Sequence, residues 1–437
     1  MKIAILGFAG QGQSSFEYWN TQENELTICD QDEKIVIPSG AKANLGPTYL
    51  KNLSKFDLIV RTPIVHPREI VANNPENPNI LDKVTSNTNE FFRVCPSKNI
   101  IGITGTKGKG TTSTLTATML EAAGKKVHIG GNIGTPPLEL LKEGIEPDDW
   151  VVLELANFQL IDLKYSPKIA VCLMVVPEHL DWHEDMEEYI AAKQQLFINQ
   201  NQEDIAVYFV NNEDSESIAS ASEGTLIPYF AKPGAYVENG TVYIENHDIC
   251  KTSEIGLLGK HNWQNVCAAI TTVWQIIQST EQIHKVLVEF TGLPYRIELV
   301  RTVNNIRYYN DSFATAAGAT IAAINAISGN KVLIIGGFDR GLDLTEISVE
   351  IKRKEKEIRK VLIIGASAQR TAKALDNSKY ANYTVTESKE MDEIVKLATS
   401  FARPGDAIVL SPAFASFDMF KNFEERGNKF NEAVRSL

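Results

Sequence analysis

The segment Gly102-Ile-Thr-Gly-Thr-Lys-Gly-Lys-Gly-Thr-Thr112 gathers glycines, lysines and hydroxyl residues where a short apolar run gives way to a helical pattern. Glycines free backbone N–H groups to converge on an anion, a helix N-terminus adds its positive end, and Lys109 supplies a full charge. That combination makes a phosphate cradle, and it assigns Gly105, Thr106, Lys107, Gly108, Lys109, Gly110, Thr111 and Thr112 to the phosphates of a nucleotide. The spacing is a variant of the usual G-x-x-x-x-G-K-[ST] pattern, with Ile103 where a glycine is usual and Gly110 where a hydroxyl is usual.

Further titratable groups follow at the ends of buried-strand patterns. The apolar run over 150–153 delivers Glu154 to the sheet edge beside the cradle, where Mg²⁺ on a triphosphate needs an oxygen ligand. The run over 169–176 enters Pro177-Glu-His-Leu-Asp-Trp-His183, which brings His179, Asp181 and His183 to the same edge in one loop. A helix over 186–199 then sets Ile190, Lys193 and Phe197 on one stripe, so Lys193 faces the core. A buried ammonium is costly unless paired, shifted in pKa or chemically altered. Addition of CO₂, which gives an anionic carbamate able to bind a second Mg²⁺, is one solution; a lysine snorkelling to solvent is the other.

The elements that must hold these groups fall into three blocks. In residues 1–92, strand Lys2–Leu6, the turn Gly7-x-x-Gly10-x-Gly12, a helix from Ser14 and a strand ending at Asp30 form a Rossmann-like unit, or else a tight turn without ligand. Residues 93–293 open with the cradle, continue with strands over 127–129, 150–155 and 169–176, and carry a hairpin at Asn239-Gly240. Residues 294–437 contain three β-branched runs that end in small residues, beginning at Lys331, Lys360 and Asp406. The expected fold is therefore α/β with three domains. A Rossmann-like N-terminal domain precedes a P-loop-type central domain with a mostly parallel sheet and a small antiparallel appendage, and a second Rossmann-like domain follows.

At 437 residues the chain exceeds one ordinary core. A net charge of -12 excludes a general nucleic-acid or membrane-surface binder, since phosphate backbones need an extended basic surface. The five cysteines are scattered without C-x-x-C spacing, as reduced thiols of a cytoplasmic protein would be. No apolar run reaches the ~18 residues of a membrane span, and the first strand is too short for a signal peptide.

Nine spaced motifs carry a family resemblance. They are Gly105-Thr-Lys-Gly-Lys109, Gly131-Asn-Ile-Gly134, Leu153-Glu-Leu-Ala-Asn-Phe-Gln159, Glu178-His-Leu-Asp181, Ala191-Ala-Lys193, Gly259-Lys-His-Asn-Trp-Gln-Asn265, Gly292-Leu-Pro-Tyr-Arg296, Asn310-Asp-Ser312 and Gly336-Gly-Phe-Asp-Arg340. Together they resemble the Mur ligases over essentially the whole chain. The tail from Leu410 to Gly427 is similar to the branch that adds D-glutamate.

The resemblance implies ATP-dependent amide formation between UDP-N-acetylmuramoyl-L-alanine and D-glutamate through an acyl phosphate, in cytoplasmic peptidoglycan precursor synthesis, by a monomer. It implies ATP on Lys109, with Asn262 and Asn265 near the adenine and Arg296 and Asp311 closing over it. One Mg²⁺ would lie on Glu154 and a cradle hydroxyl, Thr111 in place of Gly110, and a second on His179 and carbamylated Lys193. Gly12, Gln13, Ser14, Ser15 and Asp30 would hold the uridine diphosphate, Asn132 the muramoyl-alanine part, and Thr315, Arg340, Ser416 and Phe423 the D-glutamate. Arg340 also has a case of its own, because a guanidinium clamps a carboxylate bidentately.

Several residues depart from the family pattern. Ala156 and Asn157 replace paired serines, Glu178 an aspartate, Phe313 a lysine and Phe414 a cysteine, and Thr62-Pro-Ile64 lacks a glycine. Phe313 bears on the incoming amino acid, which leaves a Mur-type ligase for a different amino acid as one alternative. A folylpolyglutamate-synthetase-like ligase is another, resembled by the Gly-Lys-Gly-Thr form but opposed by the long block before the cradle. A non-catalytic nucleotide binder would lose Lys109, Glu154, His179 or Lys193, and a dehydrogenase leaves the cradle unexplained.

Overall fold

Runs of β-branched and aliphatic residues that lie buried along their whole length need cover on both faces, and this demand shapes both halves of the chain. The structure, a computed structural model, describes residues 1–437. It divides into two compact units, Met1–Glu254 with Trp263–Leu287 and Ile255–Asn262 with Val288–Leu437.

In the first unit β1 (Lys2–Leu6), β2 (Glu25–Asp30), β3 (Lys42–Leu45), β4 (Leu58–Arg61) and β5 (Val84–Ser86) form a parallel sheet in the order β3-β2-β1-β4-β5. A second sheet is parallel throughout and central to the site. Its strands β6 (Ile100–Thr104), β7 (Val127–Gly131), β8 (Trp150–Glu154), β9 (Ile169–Cys172), β10 (Ile205–Phe209) and β11 (Thr225–Tyr229) lie in the order β11-β10-β9-β6-β8-β7. One apolar core runs from Ile5, Phe16 and Phe91 under the first sheet to Leu138, Val151 and Leu196 around the second. The appendage is a three-stranded antiparallel sheet of β12 (Ala235–Glu238), β13 (Thr241–Ile244) and β14 (His247–Lys251). Its first turn has left-handed φ at both Asn239 and Gly240, the geometry for which this dipeptide is selected.

The second unit holds a six-stranded sheet in the order β15-β16-β20-β17-β18-β19. The strands are β15 (Glu298–Val303), β16 (Ile306–Asn310), β17 (Lys331–Gly336), β18 (Ile358–Ile364), β19 (Tyr383–Val385) and β20 (Ala407–Leu410). Only the β15–β16 pair is antiparallel; the other pairings are parallel. The α/β class with a small antiparallel appendage is as expected. No helix is long and apolar enough to cross a membrane.

Several element ends differ from the sequence reading. The strand expected over 169–176 stops at Cys172, and the helix expected from Ser14 begins at Gly10. The helix expected over 186–199 ends at Gln194 and continues as tight turns, with Leu196 N bonding Lys193 O at 3.2 Å. For the strand and the later helix the apolar pattern runs on past the regular hydrogen bonding, because burial continues where the ladder or helix does not.

Candidate active site

β6 is buried at all five residues and leads directly into the cradle. Gly105 has φ +137° and Gly108 φ +92°, and a Cβ would sit 2.7 Å from Leu173 Cβ at the first and 2.2 Å from Asn265 Oδ1 at the second. Only glycine fits either position. Gly108 caps the helix Lys109–Ala122, which begins two residues earlier than Thr111 and has no side-chain cap, so the positive end of the helix stands at the cradle.

Thr106 staples this loop in place. Its N donates to Met174 O (2.8 Å), and its hydroxyl lies 2.9 Å from Tyr189 Oη and 3.0 Å from Val176 N. Lys107 reaches Glu178 at 2.5 Å. Thr111 is 8 % exposed and Thr112 fully enclosed, so of the two hydroxyls Thr111 is the one with access to a ligand outside the helix.

Two lysines meet on one carbonyl. Lys109 Nζ lies 2.9 Å and Lys193 Nζ 3.4 Å from Gly105 O. Lys193 is fully buried, as its stripe position predicts, with its amine 4.3 Å from the centre of the Tyr189 ring. Burial first, and then the charge of Lys109, push its pKa down to about 7, which leaves a substantial fraction as free amine near neutrality. His179 stands in the same loop region with φ +59°. It is exposed, and partial desolvation, followed by the charges of Lys109 and Lys193, holds its imidazole below the ordinary value against the pull of Glu178 and Asp181. Asp181 itself is exposed, and His183 is buried.

Glu154 ends β8 with only 3 % exposure. Asn132 donates from its backbone N to Glu154 O at 2.7 Å and from Nδ2 to Glu154 Oε1 at 3.1 Å, so the residue expected at the muramoyl part lies against the carboxylate.

Around the glycine turn of the first sheet, Asp30 Oδ2 accepts Phe8 N at 2.7 Å, which brings the acid at the end of β2 to the turn. Gly12 is buried in the first helix, while Gln13 is exposed. Ser14 and Ser15 point inward to Asn87, whose Nδ2 lies 3.2 and 3.1 Å from their hydroxyls.

In the second unit, Asp311 is buried and accepts Ser411 Oγ (2.6 Å) and Ile297 N (3.1 Å). Burial pushes its carboxyl up to about 7, against those hydrogen bonds and the nearby arginines. The Arg296 guanidinium stacks 3.8 Å from the centre of the Phe313 ring, and Phe313 meets Phe423 edge-on at 4.9 Å. Phe313 thus builds an apolar wall beside the Arg296 guanidinium. Ser416 is buried, whereas Thr315 and Arg340 are exposed, Arg340 lying 5.4 Å from the Phe417 ring. Asn262 donates to Leu258 O at 2.7 Å.

The residues missed from sequence are His66, Arg68 and Glu188. His66 caps and Arg68 lies in the short helix Pro67–Ala72 near the N-terminus, and no periodic or motif signal pairs them with a helix more than a hundred residues away.

Comparison with known proteins shows the family. The Mur ligase middle-domain model matches residues 103–273, and the model of the Mur ligase glutamate-ligase domain matches residues 295–414. The UDP-N-acetylmuramoylalanine–D-glutamate ligase of Acetivibrio thermocellus is 36 % identical, over 100 % of this chain and 96 % of its own length. The chain belongs to the Mur ligase family. Like-named ligases of Clostridium tetani and Clostridium beijerinckii are 35 % and 37 % identical, covering 100 % and 91 % of this chain and 94 % and 87 % of their own.

Solved Mur ligases share the fold at lower identity. MurC from Thermotoga maritima superposes with TM-score 0.62 at 16 % identity, covering 100 % of this chain and 99 % of its own. MurF from Acinetobacter baumannii gives 0.63 at 15 %, covering 84 % and 87 %. E. coli FolC, solved with ADP, gives 0.56 at 16 %, covering 79 % of this chain and 90 % of its own.

Proposed function

We propose that this Mur ligase joins D-glutamate to UDP-N-acetylmuramoyl-L-alanine at the expense of ATP, as a cytoplasmic monomer. The choice of substrates rests above all on the full-length match to D-glutamate ligases. A division into domains at about residues 92 and 293 follows the three large sheets, each built from one stretch of the chain.

A carboxylate does not acylate an amine at neutral pH, so it must first be activated. An oxygen of the L-alanine carboxylate attacks the γ-phosphorus of ATP, the bridging P–O bond breaks and ADP leaves. The D-glutamate amine then attacks the acyl phosphate carbon. A C–N bond forms, the amine loses a proton, and the C–O bond to phosphate breaks. Lys109 and the cradle residues Gly105 to Thr112 hold the transferring phosphoryl group; Asn262, Asn265, Arg296 and Asp311 hold the rest of ATP. Gly12, Gln13, Ser14, Ser15, Asp30 and Asn132 hold the uridine nucleotide, with Ser14 and Ser15 acting through their backbone. Arg340, Thr315, Ser416 and Phe423 hold D-glutamate.

The donor set fits Mg²⁺ at one position, since the Glu154 carboxylate and the Thr111 hydroxyl are hard oxygen donors. Lys193 as an amine does not fit a cation site beside His179, but as a carbamate it does. Its lowered pKa favours that change, in which the neutral amine forms an N–C bond to CO₂ and releases a proton to water. Bound Mg²⁺ would neutralise charge on the phosphoryl oxygens.

The test is phosphate release from ATP with a panel of amino acids. Turnover is expected only when UDP-N-acetylmuramoyl-L-alanine and D-glutamate are both present. Activity with another amino acid and none with D-glutamate would overturn the substrate assignment and point to the Phe313 wall as its cause.

A further inference from the structure

The first sheet and the His179 loop are joined by side chains that the chemistry above does not use. β4 ends at Arg61, which is fully buried, pairs with Asp162 and donates to Phe158 O and Val65 O, each at 3.0 Å. Beyond it the His66 ring lies 4.3 Å from the Trp182 ring, and Arg68 donates to Trp182 O and, at 3.4 Å, to Glu188 Oε2. Glu188 is the hub. Its Oε1 is 3.2 Å from His66 Nε2, and its Oε2 is 3.2 Å from His183 Nδ1 and 2.8 Å from Glu184 N.

Such a trio of two histidines and a carboxylate, with ligand atoms within 4.8 Å of one another, resembles a zinc site. The outer hydrogen bonds argue otherwise. Arg68 N donates to His66 Nδ1 at 3.1 Å, so that nitrogen keeps its lone pair and the neutral ring carries its proton on Nε2, facing Glu188. The Asn157 amide, 2.6 Å from His183 Nε2, likewise puts the proton of that ring on Nδ1, again facing Glu188. Glu188 therefore accepts from Arg68, from His183 and from the Glu184 N–H just before its helix, with His66 Nε2 standing 3.2 Å away.

This hub reaches the reaction centre by two short routes. Trp182 N and His183 N both donate to His179 O, at 3.1 and 3.0 Å, and these bonds hold His179 in its left-handed conformation. Glu188 also shares the helix Met186–Gln194 with Lys193. On the far side Thr62 Oγ1 donates to Leu6 O at 2.6 Å, beside the glycine turn proposed for the uridine nucleotide.

We propose that Glu188, clasped by His66 and Arg68, is a positioning residue for this reaction: through it the N-terminal sheet sets the placement of His179 and Lys193. The inference rests on the cation-holding role proposed for those two residues. The test measures the Mg²⁺ concentration that half-saturates amide formation, together with kcat, the KM of each substrate and Tm, in His179→Ala, Glu188→Gln, Glu188→Ala and Arg68→Ala.

Removing a group that orients a ligand costs ten- to a hundredfold in metal affinity. Glu188→Ala is expected to raise the Mg²⁺ requirement about tenfold and to lower kcat, with the KM for D-glutamate little changed. Glu188→Gln is expected to match it, because a carboxamide N–H₂ would face donors. Arg68→Ala, at the exposed rim, is expected to give a smaller shift in the same direction. If His179→Ala shifts the Mg²⁺ requirement while the Glu188 and Arg68 variants shift only Tm or the folded fraction, the clasp is structural and the inference fails alone. If His179→Ala leaves the requirement unchanged, the cation-holding reading fails and takes this inference with it. Stoichiometric zinc in the purified protein, lost in His66→Ala, would overturn the proton assignment and the proposal.

Discussion

Lys193 in the first unit and Arg426 in the second are both buried cations, 0 % and 1 % exposed, whose hydrogen bonds go to neutral partners. Lys193 has one long bond, 3.4 Å to Gly105 O, and burial brings it down to about 7. Arg426 donates from three nitrogens, to Ser312 Oγ (2.9 Å), Phe414 O (3.0 Å) and Ser312 O (2.8 Å), and burial lowers it only to about 10. A guanidinium spreads its charge over a fork that fixed carbonyl dipoles can satisfy, whereas an ammonium left with a single dipole gives up its proton instead. One region therefore holds a reagent and the other a permanent charge. The permanent charge ties Phe414, in the segment after β20, to Ser312, behind the Phe313 wall.

The largest effect expected from breaking this contrast is at Lys193. Lys193→Ala and Lys193→Arg should each lower kcat roughly a thousandfold, the scale of losing a group that holds charge on a transferring phosphoryl group. Short carboxylic acids should partly restore the alanine variant and leave the arginine variant inactive; an active arginine variant would count against the carbamate. Next comes Arg426→Met, which strips donors from two buried carbonyls and a buried hydroxyl. Denaturant titration should show a loss of about 2–4 kcal/mol, and a loss under 1 kcal/mol would mean that the fork contributes little.

A pH series sharpens the contrast further. Lys193 has a folded pKa of about 7 against an ordinary 10.5, so between those values the unfolded chain binds more protons and stability rises with pH. Lys193→Met should be the more stable protein at pH 7, by on the order of 4 kcal/mol, and its advantage should shrink as pH rises towards 10. The Arg426→Met difference should stay flat between about pH 6 and 9, because the arginine remains charged there. The smallest expected effect is at Asn132, which orients Glu154. Asn132→Ala should cost about tenfold in activity and raise the Mg²⁺ requirement, and an unchanged requirement would sever Asn132 from the carboxylate's role.

Much of the fold was legible because β-branched runs such as Val151–Val152 and Ile334–Ile335 can only be buried strands, and because Asn239-Gly240 has few other uses. Strands β3, β5 and β19 escaped notice, being short edge strands that lack a sustained apolar run, and β10, β11 and β14 to β16 were not read as strands either. Lys193 could be read from its stripe, and Gly105 and Gly108 from cradle spacing. What the sequence could not disclose was pairing between distant residues. Nothing in Thr62-Pro-Ile64 signals that the neighbouring His66 reaches Glu188, and nothing in the serines at 14 and 15 signals that Asn87 turns them inward.

The account's central claim is that the L-alanine carboxylate passes through an acyl phosphate before the amide forms. UDP-N-acetylmuramoyl-L-alanine carrying heavy oxygen in both carboxylate positions, turned over with ATP and D-glutamate, tests it in one mass spectrum. The mechanism predicts one heavy oxygen in each phosphate released and one kept in the amide. Unlabelled phosphate alongside amide product would contradict it.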